Sequence, residues 1–565
     1  MPKTTLIVLI AVLVIAVAVG ALYYSSHQAP SPPSTTTTAT KTTTTAAQNT
    51  TSAPGQTTVI YASLSEMTTA DPSTEFSNSV MWLPLVYEPL IWYNPFNDTI
   101  IPGLALSYNV SSDGLTWTFH LRKNAVFHDG TPVTAYAVKD SIERTITLGQ
   151  GASYIWDSVE SIEATDNYTV VFHLKYAAPL EKIASSPYAS YIFSPKVVQY
   201  AGASNLTDPK IADWFNSGHD AGSGPYILVK WDPQNEIVLK KNKDWWGWKE
   251  QNYPLANPKA PDIFIIKIIK DSTTQSTLLR SGDIDIAEYV PPESVASFKS
   301  DPNFVVVTQP SFQNLVLLLN TQKPPLDNVL VRRAIAHAIP YDDIVNIARQ
   351  GFARVASGVI PYGLWGHSED FKYQYNLTLA KQLLAQAGYP NGIPTRLVLT
   401  YTAGDIYEQR TSDLIRTSLA QIGINVDVKP MSWEEQWGLA QQGWQNHNTT
   451  QDLFMMYWWP DMLSPITYLY NLFDNESTAF DLCYYANPTF NNLIMEAFRL
   501  EATNPDKAYQ LYYQAQKILY DDVPGIGLWD MIDFRVARSS VGNLANAMNP
   551  AYPTVIFAQA LSVGK

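Results

Sequence analysis

The carboxyl-terminal half of the chain changes between strand-like and helix-like spacing of its apolar residues. Residues 396–401 are predicted to form a strand, and residues 424–428 alternate apolar and polar positions, as a half-buried strand does. Between them, residues 407–422 place apolar side chains three or four positions apart, and Gly423 follows as a stop signal. A strand, helix, strand unit of this kind builds a mostly parallel sheet. The pattern therefore predicts an α/β fold.

Further strands and helices follow from local signals along the chain. Strands are predicted over residues 58–63, 115–121, 261–270 and 285–290, where β-favouring residues are bounded by turn residues. Helix caps are predicted at Thr134, Asp327, Asn376 and Asn504, because short polar side chains satisfy the first free N–H groups of a helix. The corresponding helices are expected over residues 134–147, 327–340, 376–388 and 504–523, with others over 273–280 and 341–351.

A predicted strand over residues 453–459 ends in an aromatic run and a carboxylate. The run is Tyr457, Trp458 and Trp459, followed by Pro460 and Asp461. A carboxylate beside large rings costs free energy to desolvate unless a charged or hydrogen-bonding partner meets it. One explanation is a ligand, since ligands bind at the carboxyl ends of strands in open α/β sheets. The other is a strand end whose Asp caps a turn and whose Trp residues belong to the core.

Composition narrows the classes of function. The net charge is −14 with a pI of about 5.0, and no compact basic cluster is present, so nucleic acid is not expected as a partner. The single cysteine, Cys483, excludes an intramolecular disulfide and is expected to be a small buried residue. The eight histidines are scattered without ligand spacing, so no metal or other cofactor is expected.

The rival interpretation is a secreted glycoside hydrolase or peptidase. An acidic, exported chain rich in Trp prompts it, but glycoside hydrolysis needs two facing carboxylates and the sequence singles out no pair. GxSxG and HExxH motifs are absent, and Cys483 lies among Tyr and Leu residues. We therefore expect no enzymatic activity and no catalytic residues.

The amino terminus predicts export. Residues 6–24 are apolar and would span roughly 28 Å as a helix, so residues 1–24 are expected to anchor the chain, with a cleaved signal segment as the alternative. Residues 25–57 are rich in Ser, Thr and Pro, which is typical of a tether. Lys3 precedes the apolar run, and because positive charges stay on the cytoplasmic side of a membrane helix, the chain after the run is expected outside the cell. N-glycosylation sequons are consistent with an extracellular location. They occur at Asn49, Asn97, Asn109, Asn167, Asn205, Asn376, Asn448 and Asn475.

Six short phrases follow one another in an order similar to the signature of family 5 extracellular solute-binding proteins, the receptors of ABC importers for oligopeptides, dipeptides, nickel and oligosaccharides. They are residues 85–90 (LVYEPL), 113–135 (DGLTWTFHLRKNAVFHDGTPVTA), 222–231 (GSGPYILVKW), 242–247 (NKDWWG), 279–285 (LRSGDID) and 320–333 (NTQKPPLDNVLVRR). The resemblance covers nearly all of the chain after the tether. It implies an extracellular receptor that delivers its solute to an ABC permease in the membrane.

The resemblance also implies an architecture, the two-lobed type II periplasmic-binding-protein fold with an extra domain on the first lobe. The first lobe is expected to comprise residues 58–84, 213–312 and 526–565, the extra domain residues 85–212, and the second lobe residues 313–525. The two lobes would close on the solute about a hinge, for which Asn320 and Gln322 are the candidates. A monomer is expected.

The ligand is left open between peptides and oligosaccharides. In peptide-binding relatives an Asp in a Trp-x-x-Asp-x-x-x-Pro context meets the terminal ammonium, and Trp458, Asp461 and Pro465 match that context. Met455 stands where some peptide binders have an Arg, which argues against recognition of a peptide carboxylate by that route. In sugar-binding relatives Trp residues stack on the rings, and Trp458, Trp459 and nearby Trp433 suit that role. The Asp match favours peptide.

Two further ligand-binding candidates come from the amino-terminal part. Tyr87 and Glu88 lie in the first family phrase, and the amino-terminal lobe has to contribute side chains to the cleft. Core or hinge roles are the alternatives for both residues. The expected ligand-binding set is therefore Asp461, Trp458, Trp459, Tyr457, Trp433, Glu88 and Tyr87.

Overall fold

The computed structural model describes residues 55–94, 99–445, 451–475, 477, 480–552 and 554–564. The predicted anchor, the tether up to residue 54 and the sequons at Asn49, Asn97 and Asn448 lie outside these residues. Within the described part, no helix is both long and apolar enough to cross a membrane. The five sequon asparagines in the described part are all exposed, namely Asn109, Asn167, Asn205, Asn376 and Asn475.

Strands occur throughout the described chain. Their bounds are β1 Thr58–Ser63, β2 Ile91–Asn94, β3 Thr99–Pro102, β4 Ala105–Val110, β5 Thr116–Leu121, β6 Val159–Asp166, β7 Thr169–Leu174, β8 Tyr226–Asp232, β9 Glu236–Lys241, β10 Ile263–Ile268, β11 Ile286–Ala287, β12 Phe304–Leu319, β13 Ala353–Val355, β14 Leu397–Thr402, β15 Val426–Met431, β16 Leu453–Trp458, β17 Gly525–Arg538, β18 Val541–Gly542 and β19 Ser562–Val563.

Helices separate many of these strands. Their bounds are α1 Leu83–Val86, α2 Ala135–Leu148, α3 Leu180–Ile183, α4 Val197–Tyr200, α5 Lys210–Asn216, α6 Ser272–Ser281, α7 Pro292–Lys299, α8 Val329–Ala338, α9 Tyr341–Asp343, α10 Leu377–Gln386, α11 Ile406–Ala420, α12 Trp433–Gln442, α13 Ile466–Phe473, α14 Pro488–Leu500, α15 Pro505–Asp522 and α16 Leu544–Ala547. A 3-10 turn, Ser153–Trp156, contributes to the site described below.

One large mixed sheet carries most of the fold. Its strand order is β15-β14-β16-β12-β17-β11-β1-β10-β9-β8, and β13 pairs with β17 beside this path. Strands β14, β15 and β16 are parallel, as are β1, β10 and β11, whereas β12 runs antiparallel to both β16 and β17. The parallel part built from the predicted strand, helix, strand unit confirms the α/β class.

The two longest strands, β12 and β17, connect the two groups of parallel strands. The amino-terminal half of β12 pairs with β17 alone, whereas its carboxyl-terminal half also pairs with β16. The register between β12 and β17 shifts between Pro310 and Asn314, where the two halves meet. Proline lacks an N–H for the ladder, so such an irregularity is expected at Pro310.

A separate antiparallel sheet, in the order β4-β5-β7-β6, lies within residues 105–174. Alternate residues of β5 and β7 point inward, so that Trp117, Phe119 and Phe172 are buried and in ring contact. Helix α2 packs on β6 and β7 and closes this small sheet on one face. Residues 105–174 therefore form their own layered unit.

Three predicted caps are present in the structure and one is wrong. The side chains of Thr134, Asn376 and Asn504 accept N–H groups of the first turns of α2, α10 and α15. Helix α8 is capped by Asn328 and not by Asp327, because the Asn328 side chain accepts the N–H of Leu330. Neighbouring Asp and Asn are equally good caps, so the sequence alone could not choose between them.

Cys483 is buried, as predicted. Its thiol points toward the Asp481 carboxylate, with an Sγ to Oδ1 distance of 3.0 Å. Burial and the nearby carboxylate raise the pKa of the thiol well above its ordinary value. The thiol is therefore protonated and unreactive at neutral pH.

Candidate functional site

A cavity of about 790 Å³ lies where amino-terminal segments face the end of β16. Residues of the segments 68–77 and 150–154 form one side together with Tyr188. The other side is formed by residues within 456–461 and by Trp433, Trp437, Tyr470, Asn471, Ser477 and Phe480. Its volume falls within the range of about 300–1,000 Å³ typical of ligand sites. Half of the described lining residues are aromatic, namely Phe76, Tyr154, Tyr188, Trp433, Trp437, Tyr457, Trp458, Trp459, Tyr470 and Phe480.

Asp461 lies in the wall of this cavity and is 3% exposed. Two side chains donate hydrogen bonds to its Oδ2 atom, the Tyr154 hydroxyl and the Asn471 amide, the latter at 2.5 Å. Asn471 also donates to the Tyr154 hydroxyl oxygen at 3.2 Å. Within the described chain, no Lys, Arg or His forms an ion pair with Asp461. The carboxyl group is thus hydrogen-bonded but has no positive charge beside it.

The environment of Asp461 shifts its acidity. Burial raises the pKa of this carboxyl group from 3.8 to about 7, although the hydrogen bonds from Tyr154 and Asn471 act in the opposite direction. Near neutral pH the group is therefore divided between its protonated and ionised forms. A positively charged ligand that reaches Asp461 would stabilise the ionised form.

The two tryptophans before Asp461 differ in their burial and in their hydrogen-bond partners. Trp458 is buried, donates its indole N–H to the Thr467 carbonyl oxygen at 3.0 Å and packs edge-on against Phe480. Trp459 is half-buried and donates to the Tyr188 hydroxyl at 2.9 Å. Both tryptophans line the cavity.

Tyr457 and Trp433 also line the cavity. The Tyr457 hydroxyl donates to Asp405 Oδ2 at 3.1 Å, and its ring packs edge-on against Trp529. Trp433 starts α12 and packs edge-on against Phe454 of β16. Five of the seven ligand-binding residues expected from the sequence therefore surround one cavity.

The other two, Tyr87 and Glu88, lie elsewhere. Both are fully buried, and neither is among the lining residues. The Glu88 carboxylate accepts hydrogen bonds from the indoles of Trp245 and Trp246 and from the Ser223 hydroxyl, each at 2.9 Å. These partners join separate segments of the chain within the core, so we leave Tyr87 and Glu88 out of the proposed site.

The predicted hinge residues follow the end of β12. The backbone N–H of Asn320 donates to the Asp452 carbonyl oxygen at 3.0 Å, and the Gln322 side chain donates to the Tyr484 carbonyl oxygen at 3.1 Å. The first contact ties the segment to the residue before β16, and the second ties it to the stretch between α13 and α14. The register shift at Pro310 lies several residues earlier, where pairing with β16 begins.

Sequence reasoning missed four further lining residues, two from distant parts of the chain and two from the segment that follows Asp461. Tyr154 lies 307 positions from its partner Asp461, and Tyr188 lies 271 positions from Trp459. Asn471 and Phe480 come from α13 and from the loop after it. No local spacing pattern links these residues to the aromatic run, so only the tertiary structure brings them together.

The model of the bacterial extracellular solute-binding proteins, family 5, matches residues 99–480. The chain belongs to this family. The family consists of solute-binding proteins, and the solute-binding protein described here has the two-lobed type II fold of periplasmic binding proteins. The alternative of a secreted glycoside hydrolase or peptidase gains no support.

Individual relatives agree with the family match. The solute-binding protein is 29% identical over 480 residues to the probable D,D-dipeptide-binding periplasmic protein DdpA of Escherichia coli K12, covering 83% of this chain and 88% of the relative. It is 27% identical over 436 residues to the glutathione-binding protein GsiB of Escherichia coli O1:K1, covering 75% and 79%. The structure of the ABC transporter-associated periplasmic binding protein DppA of Helicobacter pylori, in complex with the peptide STSA, superposes with a TM-score of 0.76 at 26% identity, covering 90% of this chain and 99% of that one.

Proposed function

We propose that this protein captures peptides through their amino-terminal ammonium group, which binds to Asp461, and delivers them to an ABC permease. The observation that carries the proposal is a nearly fully buried carboxyl group that lines a ligand-sized cavity and has no cationic partner among the described residues. An ammonium group supplies the missing positive charge and donates up to three hydrogen bonds.

The relatives support peptide over oligosaccharide as the ligand. DdpA is described as a probable D,D-dipeptide-binding protein and GsiB as a glutathione-binding protein, and the DppA structure is a complex with the peptide STSA. The aromatic rings of the cavity would also suit the faces of sugar rings. A neutral sugar, however, supplies no positive charge to stabilise the ionised form of Asp461, so the amine is the better match.

Contacts across the cavity support a mechanism of closure. The Ser186 hydroxyl donates to the Asp461 carbonyl oxygen at 2.6 Å, and Lys182 forms an ion pair with Glu501 at 2.7 Å. Together with the Tyr154 and Tyr188 contacts, these bonds join residues 154–188 to residues 459–501. We propose that the lobes separate by bending at the β12 irregularity near Pro310, which breaks these contacts and admits the ligand.

The domain limits and the membrane attachment belong to the same proposal. The four-stranded sheet within residues 105–174 supports an extra domain over residues 85–212, and the predicted lobe limits over residues 58–84, 213–312, 313–525 and 526–565 are kept. The apolar residues 1–24 would anchor the receptor beside its permease. The five exposed sequon asparagines are accessible to glycosylation.

Calorimetric titration with matched peptides tests the function. We expect Ala-Phe-amide to bind, and N-acetylation of the same peptide to weaken binding at least tenfold because it removes the ammonium charge. The Asp461→Asn variant should lose a similar factor for the free amine only.

Asp481→Asn is the matched control, because Asp481 is also buried with a pKa of about 7 but does not line the cavity. It should bind like the wild type. Equal affinities for the free and acetylated peptides, or tight binding of a neutral oligosaccharide that Asp461→Asn leaves unchanged, would contradict the proposal.

A further inference from the structure

The described part of the cavity wall contains an acidic side chain but no basic one. Among the described lining residues, Asp461 is the only carboxylic acid, and none is Lys, Arg or His. Within the described part of the wall, a ligand therefore meets one carboxyl group and aromatic rings, but no cationic side chain.

A second carboxylate lies directly behind the wall. Glu75 is buried between the lining residues Thr74 and Phe76 and accepts hydrogen bonds from the Thr68 hydroxyl at 3.0 Å and from the N–H of Ser79 at 3.0 Å. It has no ion pair with a cationic side chain in the described part of the chain. Burial raises the pKa of Glu75, so this segment places a second carboxyl group, but no positive charge, next to the amino-terminal side of the cavity.

A free peptide carboxylate is poorly accommodated in such a space. Desolvation of an anion costs several kcal/mol unless a cation or several donors meet it, and carboxylates close to one another repel. A short peptide bound through its ammonium at Asp461 would hold its own carboxylate between the aromatic walls. The residue six positions before Asp461 supplies no positive charge, because it is Met455, which is fully buried in the core.

We propose that the cavity selects peptides by the state of their carboxyl end: it takes those with a free ammonium group and no anionic group inside the cavity. This inference rests on the proposed function and narrows its ligand class. The preferred ligands are short peptides with an amidated or otherwise neutral carboxyl end, and longer peptides whose carboxylate reaches solvent. Acidic side chains close to the amino terminus are disfavoured for the same reason.

The test compares Ala-Phe with Ala-Phe-amide, and a hexapeptide acid with its amide, by calorimetric titration of the wild-type protein at pH 7.5. We expect the dipeptide amide to bind at least tenfold more tightly than the acid, and the hexapeptide pair to differ by less than threefold. Equal affinities within the dipeptide pair, or tighter binding of the acid, would overturn the inference.

A variant with an added cation provides an independent readout. Gln150 lines the cavity and is exposed, so its replacement should not disturb folding. Gln150→Arg should reduce the amide-to-acid ratio, whereas the neutral control Gln150→Met should keep it. A ratio that increases in Gln150→Arg would count against the inference.

The peptide series distinguishes a failure of the ammonium site at Asp461 from a failure of the selection at the carboxyl end. If N-acetylation leaves the affinity unchanged, the ammonium site at Asp461 is wrong. If N-acetylation weakens binding but amidation has no effect, the site stands and the selection at the carboxyl end is wrong. If none of the peptides binds, both are wrong.

Discussion

Asp461 shows how a single side chain can be kept ready for a charged ligand. Tyr154 and Asn471 provide hydrogen bonds that hold the carboxyl group in place, but they do not supply the positive charge that would fully stabilise its ionised form. A preformed ion pair within the protein would have to be broken before a ligand could bind. The arrangement leaves that charge to the ligand.

The acidity of Asp461 predicts how binding depends on pH. Because burial raises the pKa of this carboxyl group to about 7, a peptide ammonium has to displace a proton at lower pH. We expect affinity to fall up to about tenfold for each pH unit below 7 and to level off above it, until the ligand amine loses its proton near pH ~8. Titrations at pH 5, 6, 7 and 8 check this. The Asp461→Asn variant should show no such slope, and a flat profile in the wild type would contradict the prediction.

The same shift predicts an effect on stability in the absence of ligand. The folded state holds the Asp461 proton more tightly than the unfolded state does, so this group lowers the free energy of unfolding as pH rises from about 4 to about 7. Asp461→Asn removes this contribution. The difference in unfolding free energy, variant minus wild type, should increase between pH 4 and pH 8 by up to about 4 kcal/mol, since one pKa unit corresponds to ~1.4 kcal/mol. Urea denaturation at the two pH values measures it, and an unchanged difference would contradict it.

At the scale of elements, strand β16 connects the core to the site. Successive residues of β16 point to opposite faces of the large sheet and are buried in the hydrophobic core on each face. Pairing with β12 and β14 fixes the point where the chain leaves the sheet. The tryptophans and Asp461 therefore emerge at a defined edge. Short helix α3 brings Lys182 to the opposite side, where it pairs with Glu501 and lies 4.5 Å from the centre of the Trp365 ring.

Loss of the Lys182 pair should weaken ligand binding through closure. Lys182→Met removes a largely buried ion pair across the two sides, so more of the binding free energy is used to close the lobes. We expect peptide affinity to fall about three- to tenfold in calorimetric titrations. Lys507→Met is the control, because it removes an ion pair of equal length that is exposed and joins α14 to α15. A purely structural role would lower the unfolding free energy of Lys182→Met and leave its affinity unchanged.

Local patterns located many elements, whereas the site depends on distant contacts. Strands β1 and β16 and the caps Thr134, Asn376 and Asn504 could be predicted because each depends on a few adjacent residues. Tyr87 and Glu88 illustrate the limit. Their family phrase pointed to the cleft, but the Trp245 and Trp246 indoles that hold Glu88 in the core come from more than 150 positions later in the chain.

At the scale of the whole molecule, the continuous large sheet predicts cooperative unfolding. Strands β12 and β17 pair along most of their length and belong to both halves of the sheet, so neither half has an independent set of strands. We expect one thermal transition. A peptide present at 100 times its Kd should increase the free energy of unfolding by about 2.7 kcal/mol and so shift this transition to a higher temperature. Scanning calorimetry with and without peptide measures this. Two transitions, of which the ligand moves only one, would contradict it.

The buried thiol of Cys483 makes the protein convenient for measurements of motion. With its only sulfhydryl enclosed and protonated, maleimide dyes should leave the native protein unlabelled. Cysteines introduced at exposed positions on the two sides of the cavity would then carry a fluorescent donor and acceptor without removal of a native residue. Single-molecule energy transfer between them could follow opening and closing in real time, in wild-type backgrounds and in variants alike.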